Sequence, residues 1–140
     1  DALVGATAGA TTPGAYHLQA AIAACHATAA SVDATDWAQI AVLYGALLDR
    51  SPSPVIELNR AMAVSRAEGP RAGLALLDKL RGDRAIAQFY LLPSARADLL
   101  ERLGRFDQAR REFERAAELA SNPRQRARLL ARAAACGGRA

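Results

Sequence analysis

Residues 99–123 read L-L-E-R-L-G-R-F-D-Q-A-R-R-E-F-E-R-A-A-E-L-A-S-N-P, and this stretch decides the fold. Leu99, Leu100 and Leu103 close one amphipathic helix. Gly104 then supplies the residue that most readily takes the left-handed conformation at a helix C-terminus. Phe106, Ala109, Phe113, Ala116 and Ala120 recur at helical spacing, so two rings and three small side chains share one stripe. Ser121, Asn122 and Pro123 stop that helix and open another. A helix–turn–helix unit of this size cannot bury its apolar stripe alone and requires neighbours of the same kind stacked against it.

Composition supplies those neighbours. The chain has 140 residues, enough for one continuous core, and 35 of them are alanine while only 5% are aromatic. Alanine is the strongest helix former and lets helix axes approach closely. No alternating run of β-branched residues appears, so the chain reads as all-α.

Working outward, residues 7–14 (T-A-G-A-T-T-P-G) read as a linker, following a helical stub over residues 1–8 that continues from a longer protein. Residues 16–30 form a helix with Leu18, Ile22, Cys25 and Ala29 inward, and 31–35 a turn. Asp36 or Thr35 caps the next helix, with Trp37, Ile40, Ala41, Tyr44, Leu47 and Leu48 on its stripe. Ser51-Pro52-Ser53-Pro54 ends it and opens a third, with Val55, Leu58, Ala61, Met62 and Ser65 inward. Pro70 starts a fourth helix carrying Leu74, Leu77 and Leu80. Asp83 caps a short segment over residues 84–90, and Pro93 either starts a fresh helix or kinks a continuous one. Asn122 and Pro123 open a last helix to residue 135, beyond which the chain frays.

Gly69 and Gly104, the residues separating paired helices, lie 35 apart. A helix–turn–helix period of about 34 residues marks tetratricopeptide repeats. The pattern is degenerate: Leu74 occupies a position where a small residue is expected. The expectation is an all-α, tetratricopeptide-like stack of about seven helices over residues 14–136, capped by the last helix, with residues 1–13 and 137–140 outside it.

The net charge of +4 is uneven, −3 over residues 1–70 and +7 over residues 71–140. Arg124, Arg128 and Arg132 form an i, i+4, i+8 stripe, read as lying opposite Ala127, Leu130, Ala131 and Ala134. Such a stripe suits phosphates or an acidic protein, or stands as the solvated outer face of a capping helix. Cys25 and Cys136 form no paired motif, which fits a reducing cytoplasm. No apolar run is long enough to span a bilayer.

Catalytic patterns are missing. Cys25 and His26 point about 100° apart on one helix, and His17 and His26 fall on opposite faces. Asp98 and Glu101 each have an arginine four residues on, the arrangement of solvated helix ion pairs with Arg102 and Arg105. No metal set, phosphate loop or cofactor motif is present. Three features remain. Arg96 shares a stripe with Leu92, Leu99 and Leu103, so its stem packs while its head reaches water, a carboxylate such as Glu57, or a ligand in a groove. Asn59 and Arg60 lie on a first-in-pair helix, the kind that lines the concave face of such solenoids. The third feature is the stripe of three arginines.

Residues 15–27 (AYHLQAAIAACHA), 36–44 (DWAQIAVLY), 53–64 (SPVIELNRAMAV), 89–105 (FYLLPSARADLLERLGR) and 113–127 (FERAAELASNPRQRA) together resemble one family. It is the C-terminal, tetratricopeptide-like extension of a subgroup of bacterial extracytoplasmic-function RNA polymerase sigma factors. The resemblance implies a regulatory, non-enzymatic domain that contacts the upstream sigma-factor domains or core RNA polymerase. It reaches DNA only through the full-length sigma factor. Genes of the subgroup often neighbour small DGPF (YCII-related) proteins, which enter as partners of interest. The matched motif positions are Glu57, Asn59, Arg60, Tyr90, Pro93, Arg96 and Asp98. A small-molecule pocket near Trp37 and Tyr44 is a further reading.

Overall fold

A computed structural model describes residues 13–28 and 35–139. Among them are seven helices and no strand: α1 (Pro13–Thr28), α2 (Trp37–Arg50), α3 (Pro54–Glu68), α4 (Pro70–Leu80), α5 (Leu91–Arg102), α6 (Phe106–Leu119) and α7 (Pro123–Gly137). Each helix packs on the next, and α3 also touches α5, so the first helices of successive hairpins are neighbours. The chain is an all-α stack of helical hairpins. No helix among the described residues is long and apolar enough to cross a membrane. The expected stub, most of the linker and most of the 31–35 turn lie outside the described residues.

Local chemistry sets the boundaries. Asp36 caps α2 by accepting from the Gln39 N–H at 3.0 Å, and Ser53 caps α3 by accepting from the Ile56 N–H. Asn122 caps α7, its side-chain oxygen accepting from the N–H groups of Arg124 and Gln125. Gly69 and Gly104 adopt φ values of 104° and 77°, the left-handed geometry expected at the two hairpin turns. Pro13 and Gly14 belong to α1 rather than to the linker. Pro93 sits in the first turn of α5, where its missing N–H costs nothing, so a fresh helix begins there. Residues 84–90 form turns rather than a helix, opened by the Asp83 carboxylate accepting from the Ala85 N–H. The α7 helix runs through Gly137, and the Arg139 N–H closes a turn on the Cys136 carbonyl.

The larger core joins α3 to α7 through Leu58, Leu77, Ile86, Leu99, Phe113 and Cys136, among others. A smaller cluster, Ile22, Ile40 and Ala63 with Trp37 and Tyr44 alongside, seats the first hairpin. α3 is buried on two faces because α2 and α4 both pack on it, so Ala63 and Val64 are covered as well as Leu58, Ala61 and Ser65. Val55, expected inward, is 47% exposed, because it sits in the first turn outside both contacts.

The misfit at Leu74 resolves in the turns. α4 begins immediately after Gly69, whereas Arg105 intervenes between Gly104 and α6. The second helices therefore repeat at 36 residues, pairing Gly73 with Ala109, Leu77 with Phe113 and Leu80 with Ala116, all buried. The small residue is Gly73. A Cβ there would lie 2.5 Å from the Ser65 Cβ and 2.8 Å from the Ala61 carbonyl oxygen.

Candidate partner-binding surface

α5 carries most of the polar chemistry and presents it in two opposite directions. Toward the second helices α4 and α6 it sends Arg96, only 8% exposed. Its Nε and one terminal nitrogen each lie 2.9 Å from Asp78 Oδ1 on α4, and its other terminal nitrogen donates to Glu112 Oε2 on α6. A guanidinium suits this position because its planar fork holds two carboxylates from different helices at once. The partner is therefore not Glu57. Glu57 stands exposed on α3, while Arg96 is surrounded by Leu92, Pro93, Ala95, Ala97 and Leu99, all buried, and needs carboxylates delivered by the flanking helices.

Toward α7, the Tyr90 hydroxyl accepts from Gln125 Nε2 at 2.7 Å. Arg132 Nη2 donates to Asp98 Oδ1 at 3.1 Å and to Glu101 Oε1 at 2.6 Å. Its guanidinium carbon also stands 4.5 Å from the centroid of the Phe113 ring, a cation–π placement. Cys136 Sγ lies 3.5 Å from Glu101 Oε2. Burial first, then that hydrogen bond, pushes the Cys136 thiol above its ordinary value. Asp98 also pairs with Arg102 at 3.3 Å, as the spacing predicts. Glu101 does not pair with Arg105, because Arg132 and Cys136 take up its carboxylate, while Arg105 borders a cavity between α4, α5 and α6.

The arginine stripe of α7 is corrected accordingly. The helix buries Leu129, Ala133 and Cys136, one residue away from the face that Leu130 suggests, and Leu130 is 48% exposed. That rotation turns Arg132 inward to its carboxylates and leaves Arg124 and Arg128 exposed. Arg128 borders a cavity of about 210 Å³ with Tyr90, Ser94, Gln125 and Arg132.

On α3, Glu57 and Asn59 are exposed, and Arg60 is half-buried against α2. Arg60 Nε is enclosed without a hydrogen-bond partner among the described residues and lies 3.6 Å from where a Cβ of Gly45 would stand. It borders a shallow groove between α2 and α3 that includes the 66% exposed Val42. The matched residues thus fall in three places: Tyr90 and Asp98 toward α7, Pro93 and Arg96 toward α4 and α6, and Glu57, Asn59 and Arg60 on α3. Around Trp37, His26 stacks edge-on at 5.2 Å and Arg66 covers the ring at 5.8 Å. Among the described residues no group of three or more His, Cys, Asp or Glu side chains converges to hold a metal ion.

Local patterns missed Asp78, Glu112 and Gln125, each 16 or more residues from its partner. One signal was present: apolar residues on every side of Arg96 imply a fully packed helix, and so a cation that must be neutralised by neighbours on both flanks.

No family model matches the chain, and no solved structure matches it. It is similar to an uncharacterised protein of Rhizobium meliloti (strain 1021), R00370, with 51% identity over 110 residues. The match covers 79% of this chain and 26% of the relative, so the chain spans about a quarter of that protein's length.

Proposed function

We propose that this chain is a non-catalytic protein-interaction module, the regulatory tail of an extracytoplasmic-function sigma factor acting in the cytoplasm. In this reading it tunes transcription initiation by contacting its own upstream sigma domains or core RNA polymerase. The observation that carries the reading is where the two most specific strings of the resemblance lie. E-L-N-R-A (57–61) lies on α3, and Y-L-L-P-S-A-R-A-D-L-L (90–100) spans the start and body of α5. These are the adjoining first helices of successive hairpins. Their outer positions Glu57 and Asn59 stay exposed and available to a partner.

The test is a titration of the chain, separately, against the upstream sigma domains, core polymerase and the neighbouring DGPF protein. Binding to the sigma domains or to the polymerase, weakened by Arg60→Glu with helicity retained, is the expected result. Silence toward both overturns the sigma-tail reading, whether or not the DGPF protein binds. Arg96 is unsuitable for charge reversal, since its ion pairs hold α4, α5 and α6 together.

A further inference from the structure

Two adjoining cavities, of about 320 and 350 Å³, open between α4, α5 and α6. They share Arg81, Arg96 and Glu112; Arg115 borders the first, and Arg105 and Arg111 the second. Five guanidiniums thus face a cleft with two carboxylates, Asp78 and Glu112, both already engaged by Arg96. Arg81, Arg105, Arg111 and Arg115 are exposed and form no ion pair among the described residues. The Arg96 network neutralises the floor, so the exposed arginines around it carry an uncompensated positive charge at the rim of a recess, which attracts anions.

We infer that this cleft is a docking site for an acidic peptide segment of a partner protein. The lining mixes arginine with Leu74, Leu92, Pro93 and Leu100, so it offers apolar contact between the charges, as peptide recognition uses. Among the described residues no aromatic ring borders either cavity. Single-stranded nucleic acid would lack the stacking platforms it ordinarily requires. The cleft is formed by the second helices α4 and α6 over α5, away from Glu57 and Asn59 on α3, so it adds a partner chemistry to the interaction module. The inference rests on that reading but not on the sigma factor being the partner.

The experiment uses the 140-residue chain and a short fluorescein-labelled peptide of interspersed Glu and Leu residues, followed by anisotropy. Saturable binding that weakens as salt rises is expected. The double variant Arg111→Glu/Arg115→Glu, with helicity unchanged, should lose about tenfold or more in affinity, as two reversed contacts would. Arg50→Glu at the exposed end of α2, away from every cavity described, should change nothing. Equal binding of the same peptide with Gln in place of Glu overturns the proposal, as does undiminished affinity in the double variant. Displacement of the peptide by a more tightly bound single-stranded oligonucleotide overturns it in favour of nucleic acid. Self-association abolished by the double variant overturns it in favour of a second copy. Because the peptide is measured on this chain alone, failure here leaves the sigma-domain and polymerase titrations to stand or fall separately.

Discussion

Gly73 of α4 lies so close to Ser65 of α3 that a single added methyl group would reach within 2.5 Å of the Ser65 Cβ. The neighbouring obstacle, the Ala61 carbonyl oxygen at 2.8 Å, is backbone and cannot rotate away. Gly73→Ala is therefore expected to destabilise by about 1–3 kcal/mol from overpacking, despite a helix-propensity gain of up to about 1 kcal/mol. Gly82→Ala meets nothing within 4 Å and should stay within about 0.5 kcal/mol of the parent. Urea unfolding midpoints compare the two; equal midpoints would mean that α3 and α4 are free to separate.

Arg96 and Glu112 have side chains 9% and 17% exposed, whereas Asp78 is 48% exposed. Arg96→Met should cost about 3 kcal/mol, because it strands the largely covered Glu112 carboxylate. Asp78→Asn, at the wetter end, should cost less than about 1 kcal/mol. A double-mutant cycle gives the coupling directly, and a larger coupling to Asp78 than to Glu112 would contradict this ranking.

Arg132 combines two carboxylates with the face of Phe113, and only a planar cation does both well. Arg132→Lys keeps the charge, yet should cost about 1 kcal/mol of local stability, most of it in the ring contact and the lost fork. Amide exchange along α7 reads this: protection should fall there and hold on α3 and α4. Uniform loss of protection would assign Arg132 a global role instead.

Cys136 is fully buried and Cys25 half-buried. At neutral pH an alkylating reagent should modify Cys25 quickly and Cys136 only after α7 opens, so Arg132→Lys should speed the slow phase. The folded chain holds the Cys136 thiol protonated beyond the ordinary 9.0, through burial and then Glu101. Its contribution to stability is complete below pH 9 and is lost as pH rises through the raised folded value. Tyr44, raised by burial from 10.0, acts in the same sense at higher pH. Stability should bend downward above pH 9, and Cys136→Ala should lessen the bend; an identical bend in both proteins would remove the thiol from the account.

The fold was legible because caps, prolines and glycines act over three or four residues. Asp36, Ser53, Asn122, Gly69 and Gly104 all perform the local roles their chemistry predicts. The faces of alanine-rich helices were less legible. On α7 the adjacent Leu129 and Leu130 offer two stripes about 100° apart, and only packing against α6 chooses Leu129. The site was the least legible part. Arg132 meets Asp98 and Glu101 across 34 and 31 residues, and Arg96 reaches 18 residues back and 16 forward. Sequence periodicity is blind to such pairings. The arginine cleft gathers side chains from α4 and from α6 that no single helical stripe contains.

The links from α5 to α7 also alter how the stack comes apart. In an ideal solenoid each unit interacts only with its neighbours, and the array can unzip one helix at a time from its free end. Here Tyr90, Asp98 and Glu101 reach past α6 to hold Gln125 and Arg132, a next-nearest-neighbour tie across the third hairpin. Peeling α7 away breaks contacts to α5 and to α6 in the same event. The carboxy-terminal three helices thus form a single cooperative block, and a force applied at that end meets one shared barrier rather than a succession of small ones.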